Sequence, residues 1–133
     1  MITYLETNYF GETMKKVTFN DIPKIARNEA LFTDTVYAQS ILEHEDSDNF
    51  NFAIVNFPKS ARTKFHIHSG DQILIITEGE GMVCNEEVEL SVQKGDMVLI
   101  NAGENHWHGA KENTTMSHIT ITVSGSTTEV TED

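Results

Sequence analysis

The sequence predicts an all-β domain, its short strands wrapped into a sandwich or barrel. Two observations predict it. Runs of four to eight apolar or alternating residues recur along most of the chain, separated by Gly, Pro, Asn and Asp clusters that mark turns. The segment His66-Ile67-His68 then places two imidazoles at i and i+2, which on a strand share one face.

The elements follow in chain order. Asn20-Asp21-Ile22-Pro23 predicts a turn or a short helical start, because proline is tolerated in a first turn. Thr35 to Leu42 alternates and predicts a strand, and Glu43 to Asn49 is an acidic, polar loop. Phe50 to Phe57 is a second strand, ended by Pro58-Lys59-Ser60. Lys64 to His68 is a third, broken at Ser69-Gly70-Asp71. Gln72 to Glu78 has little polarity, as a strand covered on both faces would. Gly79-Glu80-Gly81 is expected as a turn, and Met82 to Cys84 with Val88 to Val92 as a hairpin around Asn85-Glu86. After a turn at Lys94-Gly95-Asp96 come Met97 to Ile100, a loop over Ala102 to Asn105 that delivers His106, and a clearly alternating strand from Ser117 to Val123. Residues 124–133 are rich in Ser, Thr and acids and are expected to fray.

Length and charge bound the partners. A chain of 133 residues suits one domain, which at this size buries about two-thirds of its unfolded surface. The formal net charge of −12 argues against nucleic acid or an anionic membrane, since both would repel it. The lone cysteine, Cys84, excludes an internal disulfide and is expected as a buried spectator. No apolar run reaches the ~20 residues of a membrane span. The first residues, MITYLETNYF, lack the basic and apolar regions of a signal peptide, so a cytoplasmic location is the expectation. Met14 opens MKKVTF and is a plausible natural start, so residues 1–13 are an extension, a dimer arm or a mis-called start.

The histidines carry the chemistry. His66 and His68 point together, Gln72 follows a three-residue connection that can turn its amide oxygen back toward them, and His106 arrives from another strand. Imidazole and amide oxygen suit Mn²⁺, Fe²⁺, Zn²⁺, Ni²⁺ and Co²⁺ alike. The bland alternative is a set of satisfied polar residues in a barrel lumen. Three histidines and a glutamine are all neutral, so the full +2 of an ion would act on bound water or substrate, which favours Lewis-acid work on an anionic ligand. Met116, His118, Thr120 and Thr122 share one face of the last strand, opposite Ser117, Ile119, Ile121 and Val123. That puts His118 on the more polar, lumen side. His44 sits in the acidic loop and is expected at the surface; Glu86, Glu87 and Glu89 are expected as a solvated rim; Arg62 has no assigned role beyond pairing with an acid or serving the barrel mouth. Gly79-Glu80-Gly81 lacks the third glycine and the helix of a phosphate loop, and no Ser-His-Asp or Cys-His spacing is recognisable.

The stretches FHIHSGDQILIITEGEGMV and VQKGDMVLINAGENHWHGA resemble the two motifs of the cupin superfamily. His66, His68 and Gly79 fit the first, with Gln72 where an acid is usual. Gly95, Gly103 and His106 fit the second, with Asn101 in place of a proline and Ala110 in place of an asparagine. The likeness covers roughly residues 50 to 123. Within the superfamily the chain is similar to small single-domain cupins, those associated with carboxymuconolactone decarboxylase and the manganese-dependent hydroxynitrile lyases, through Gln72, the run Gly103 to Ala110 and Thr115-Met116-Ser117-His118. The resemblance implies a cupin double-stranded β-helix, or jelly-roll barrel, over residues 31–123, with residues 1–30 an N-terminal extension or dimer arm and 124–133 a flexible polar tail. It implies one divalent metal ion on His66, His68, Gln72 and His106, the spacing from Gly103 favouring His106 over His108 as the ligand. It implies His118 as the proton-transfer residue, against the alternative of a hydrogen-bonded lumen histidine. By the same alignment Ala53, Val55, His108 and Thr122 line the pocket, Thr122 standing where some relatives have glutamine. Trp107 then faces out of the lumen. The expected function is a metal-dependent lyase or isomerase on a small organic substrate; a metal-dependent dioxygenase and a non-catalytic small-ligand-binding cupin are the alternatives. A homodimer is expected.

Overall fold

The computed structural model describes residues 14–42 and 46–133 of the chain. Residues 1–13 and His44, on which two of the expectations fall, lie outside the described residues. After a 3-10 turn at Phe19–Asp21, ten strands follow among the described residues: β1 (Ile25–Arg27), β2 (Val36–Leu42), β3 (Phe50–Phe57), β4 (His66–His68), β5 (Gln72–Asn85), β6 (Glu89–Gln93), β7 (Met97–Ile100), β8 (His106–Ala110), β9 (Met116–Val123) and β10 (Thr128–Val130). All pairings are antiparallel. No helix among the described residues is long and apolar enough to cross a membrane.

β5 holds the barrel together. Its first half lies between β9 and β7, and its second half between β6 and β8. One layer therefore runs β1-β2-β3-β9-β5-β7 and the other β6-β5-β8-β4-β10. The expected turn at Gly79-Glu80-Gly81 is not a turn. The chain instead passes through a register shift between Ile76 and Glu78 and continues as one 14-residue strand. Gly79 makes this bend possible at φ +72°, and a Cβ there would lie 1.9 Å from the Thr115 carbonyl oxygen. Two glycines separated by one residue look like a turn in sequence; here they mark where a strand changes layers.

The interior follows the alternation. Val36, Phe57, Leu74, Ile76, Val83 and Met116 are buried between the layers, and Phe57 meets Phe32 edge-on at 6.4 Å. The outer face of the first layer is also apolar. Phe52, Ile54, Ile119, Ile121, Ile73, Ile75, Met97 and Leu99 align across β3, β9, β5 and β7 by register, and Met97 and Leu99 are 70% and 60% exposed.

Two strands went unpredicted. β1 pairs with β2, so Ile25–Arg27, within the stretch expected as an extension, is an edge strand of the first layer. β10 corrects the expected flexible tail: Thr128, Glu129 and Val130 pair with His68, Ile67 and His66. The tail's Thr-Glu-Val-Thr-Glu alternation carries no apolar face, so its strand character rests on pairing with β4 rather than on burial.

Gly79→Ala should lower unfolding stability by about 3 kcal/mol or more, because a left-handed Cβ would collide with backbone. Gly95→Ala, at φ +97° with nothing within 4 Å, should cost only about 1–2 kcal/mol. Denaturant titrations of both variants check this; equal losses would show that the Thr115 backbone gives way.

Candidate metal centre

The site sits where the two layers close on each other. β4 supplies His66 and His68, β8 supplies His106 and His108, the first residue of β5 is Gln72, and β9 supplies His118. The β4–β8 pairing puts His66 directly beside His106. β5 carries Gln72 in register with Thr122 of β9, which brings the first layer to the histidines of the second.

Three imidazoles converge. The ligating nitrogens of His66, His68 and His106 lie within 4.8 Å of one another, and all three rings are buried. Each ring is held at Nδ1. His66 Nδ1 donates to the Lys64 carbonyl at 2.7 Å, His106 Nδ1 to the Glu104 carbonyl at 2.8 Å, and His68 Nδ1 meets the Thr128 hydroxyl at 2.9 Å. A carbonyl only accepts, so Nε2 of His66 and of His106 keeps its lone pair. His68 Nε2 is buried with no partner. Gln72 Oε1 lies 3.2 Å from His106 Nε2, while its amide nitrogen donates to Thr120 Oγ1 at 2.7 Å. With the amide oxygen on that side, two acceptors face each other across the gap, and a cation between them would relieve their repulsion. Two donor atoms about 3 Å apart also span an octahedral edge with bonds of about 2.1 Å. The residues therefore fit a metal ion: three His could hold one, and the amide oxygen stands beside them.

Electrostatics agree with this fit. Burial, then the neighbouring His106, pushes His66 down to about 3. Burial likewise lowers His68 and His106, and lowers His108 well below the ordinary value. Neutral imidazole is the form a metal needs.

His108 and His118 form a second pair beside the three. His118 Nε2 and His108 Nδ1 share one hydrogen bond at 3.0 Å, leaving His108 Nε2 and His118 Nδ1 without partners. The His108 ring stacks at 5.6 Å and 18° against His106 and meets His66 edge-on at 5.4 Å. His118 is fully buried against Phe57, and burial pushes it down to about 4. It thus lies on the lumen side, separated from the three by the His108 ring. Ala53 and Val55 share that face by pairing with Thr120 and His118, and Thr122 pairs with Gln72 while accepting a hydrogen bond from Asn51.

The remaining expectations sort plainly. Trp107 does face away from the lumen: it pairs with the buried Cys84, and the Arg62 guanidinium lies 4.6 Å over its ring. Arg62 pairs with Glu132, 2.8 Å away. A cavity of about 690 Å³ opens on the outer face of the first layer among Gln39, Asn56, Lys24, Lys94 and Ser117, with no histidine of the described residues in its lining. A small one of about 60 Å³ touches His106, Val98 and Ile100. Thr128 as the partner of His68 was missed in the sequence, where only the alternation of the tail hinted at a strand.

A family model described as a cupin domain matches residues 53–131. An (R)-mandelonitrile lyase from Granulicella tundricola is 37% identical over 91 residues, covering 68% of this chain and 70% of that protein. A cupin-like protein from Thermotoga maritima superposes with a TM-score of 0.76 at 29% identity, over 81% of this chain and 84% of that one. A predicted oxalate decarboxylase from the same organism gives 0.74 at 20% identity, over 83% and 99%, and shares the fold. The barrel, the two histidine-bearing motifs and these matches together place the chain in the cupin family.

Proposed function

We propose that this chain is a metal-dependent cupin that cleaves or rearranges a small organic substrate, with one divalent ion on His66, His68, Gln72 and His106. The observation that carries it is the set of buried Nε2 lone pairs and the Gln72 amide oxygen facing one another. Bound there, an ion of Mn, Fe, Zn, Ni or Co would supply Lewis acidity undiminished by any charged ligand. His66 and His106, fixed by backbone carbonyls, need no reorganisation to present their lone pairs. Thr120 Oγ1 accepts from the Gln72 amide nitrogen, and the amide oxygen lies on the side of His106. His118 would take up and return a proton, with His108 hydrogen-bonded to it as the adjoining ring. Ala53, Val55 and Thr122, small side chains on the same face, would leave room for substrate. The likeness to a mandelonitrile lyase supports a lyase reading, and cyanohydrin-like compounds are the first substrates to try. In such a cleavage the hydroxyl loses its proton, the carbon–cyanide bond breaks as the carbonyl forms, and cyanide leaves with its electron pair to be protonated. We further infer a cytoplasmic protein that pairs with a second copy through the outer face of the first layer. Two rows of that face, Phe52-Ile121-Ile73-Leu99 and Ile54-Ile119-Ile75-Met97, are wholly apolar, in a chain of net charge −12. Sedimentation equilibrium should give a dimer mass, and Leu99→Lys should give a monomer; a wild-type monomer would overturn the pairing.

Elemental analysis should find about one divalent ion per chain, lost in His66→Ala. Retention of metal by that variant would refute the ligand set. Gln72→Glu should keep the ion but weaken azide binding, since a carboxylate offsets part of the +2. His118→Ala should keep its metal and lose about 10²–10⁴-fold in turnover of a cyanohydrin, the usual loss for a missing acid or base. A variant with unchanged turnover would leave His118 as a hydrogen-bonded lining residue; a variant without metal would place it among the ligands.

A further inference from the structure

We propose that the C-terminal strand is a clasp on the metal centre and that Thr128 is the residue that positions His68. This rests on the metal-centre reading above. Of the three imidazoles, only His68 takes its Nδ1 partner from a side chain: Thr128 Oγ1, at 2.9 Å. His66 and His106 use the carbonyls of Lys64 and Glu104, two residues before each, and no substitution removes these. The partner of His68 comes from 60 residues away, across the β4–β10 pairing.

A hydroxyl differs from a carbonyl in one respect that matters here. It can accept from Nδ1–H, leaving Nε2 a lone pair, or donate to a bare Nδ1, leaving the proton on Nε2. Only the first direction gives a ligand. His68 Nε2 is buried without a partner, so a proton there would be an unsatisfied donor, whereas a lone pair there can meet a cation. Thr128 is therefore the adjustable point of an otherwise fixed set.

The rest of the clasp holds Thr128 in place and grips both histidine-bearing strands of the set, β4 at each end and β8 at its entry. Ser69 N–H donates to the Thr127 carbonyl at 3.0 Å, and Thr127 N–H donates to Ser69 Oγ at 2.9 Å, just after His68. Thr131 N–H donates to the Phe65 carbonyl at 2.9 Å, just before His66, and its hydroxyl reaches Asn105 Oδ1 at 2.6 Å, just before His106. The Glu132 carboxylate closes the strand, accepting from Phe65 N–H at 2.8 Å and from Arg62 at 2.8 Å. None of the three β10 residues is buried, so these polar contacts, not a packed apolar face, fix the strand.

The test uses the full-length chain and its Thr128→Val and Thr128→Ser variants, with Co²⁺ as the probe. Nitrogen-15 histidine spectra of the metal-free wild type should show His68 protonated at Nδ1. Thr128→Val should populate the other tautomer and bind Co²⁺ about 10–100-fold more weakly, with an altered visible absorption band. Thr128→Ser should restore the tautomer, the affinity and the band, which a merely structural threonine would not require of its hydroxyl. Glu132→Gln, which leaves Thr128 intact but loosens the end of the clasp, should give a smaller loss in the same direction. Wild-type tautomer and wild-type Co²⁺ affinity in Thr128→Val would overturn the proposal. Should the wild type bind no Co²⁺, the metal reading fails, while the His68 tautomer in Thr128→Val still decides whether Thr128 positions that ring.

Discussion

Imidazole nitrogens bearing lone pairs are held within 4.8 Å of one another in the interior of this barrel, and much of the structure serves to keep them there. Buried polar atoms are ordinarily paired, because an unpaired one forfeits its hydration for nothing. Here the Nδ1 atoms of His66, His68 and His106 are paired, and their Nε2 atoms converge on the other side of the rings, that of His68 without a partner. A cation gathered there would satisfy the buried Nε2 of His68 and the acceptors of His66, His106 and Gln72 beside it.

The fold meets that geometry by letting a single strand belong to both layers. Gln72 opens β5 in the first layer, and Asn85 closes it in the second, opposite His106. Without the bend at Gly79 the first half of β5 would continue in its own layer, and Gln72 would be separated from the histidines it faces. Close approach elsewhere reinforces this: Gly109 sits against the Arg62 backbone, where a Cβ would come within 2.3 Å, so β8 and the strand-entry segment before β4 are drawn together. Residues far from the histidine cluster thus set the distances within it.

Much of this could be read from the sequence, for definite reasons. His66, His68 and His106 were found because alternation on a strand and motif spacing are local properties. β3, β7 and β9 were found because apolar residues alternate along them, on the outward face in β9, and turn formers flank them. The layer change in β5 was not, because paired glycines signal a bend without saying whether the ladder stops there. β10 was not, because a strand held by hydroxyls and one carboxylate has the composition of a loose tail. For the same reason Thr128 escaped notice: its significance is a partner 60 residues away, and no local pattern encodes that. The His108–His118 hydrogen bond depends on the register of two strands that are not neighbours in the ladder, so the sequence could place both rings in the lumen without saying that they touch.

The distribution of charge gives the site its chemical character. The chain carries 21 acidic and 9 basic residues, yet no side chain of either kind is among the buried polar residues described, which are five histidines, two glutamines and a threonine. Glu104 lends the centre its backbone carbonyl, while its carboxylate accepts from Asn85 Nδ2 at 2.7 Å. The excess negative charge therefore sits in the aqueous shell, where it is screened over roughly 10 Å, and the interior is electrically neutral until an ion enters. A +2 charge introduced there would meet no carboxylate among the three histidines and Gln72, the nearby Glu104 carboxylate being engaged by Asn85. A relative with an acid at position 72 would hold its metal more tightly and polarise substrate less. With the proposed ion bound, the glutamine would trade affinity for acidity, and the buried, multiply anchored histidines would make that trade sustainable.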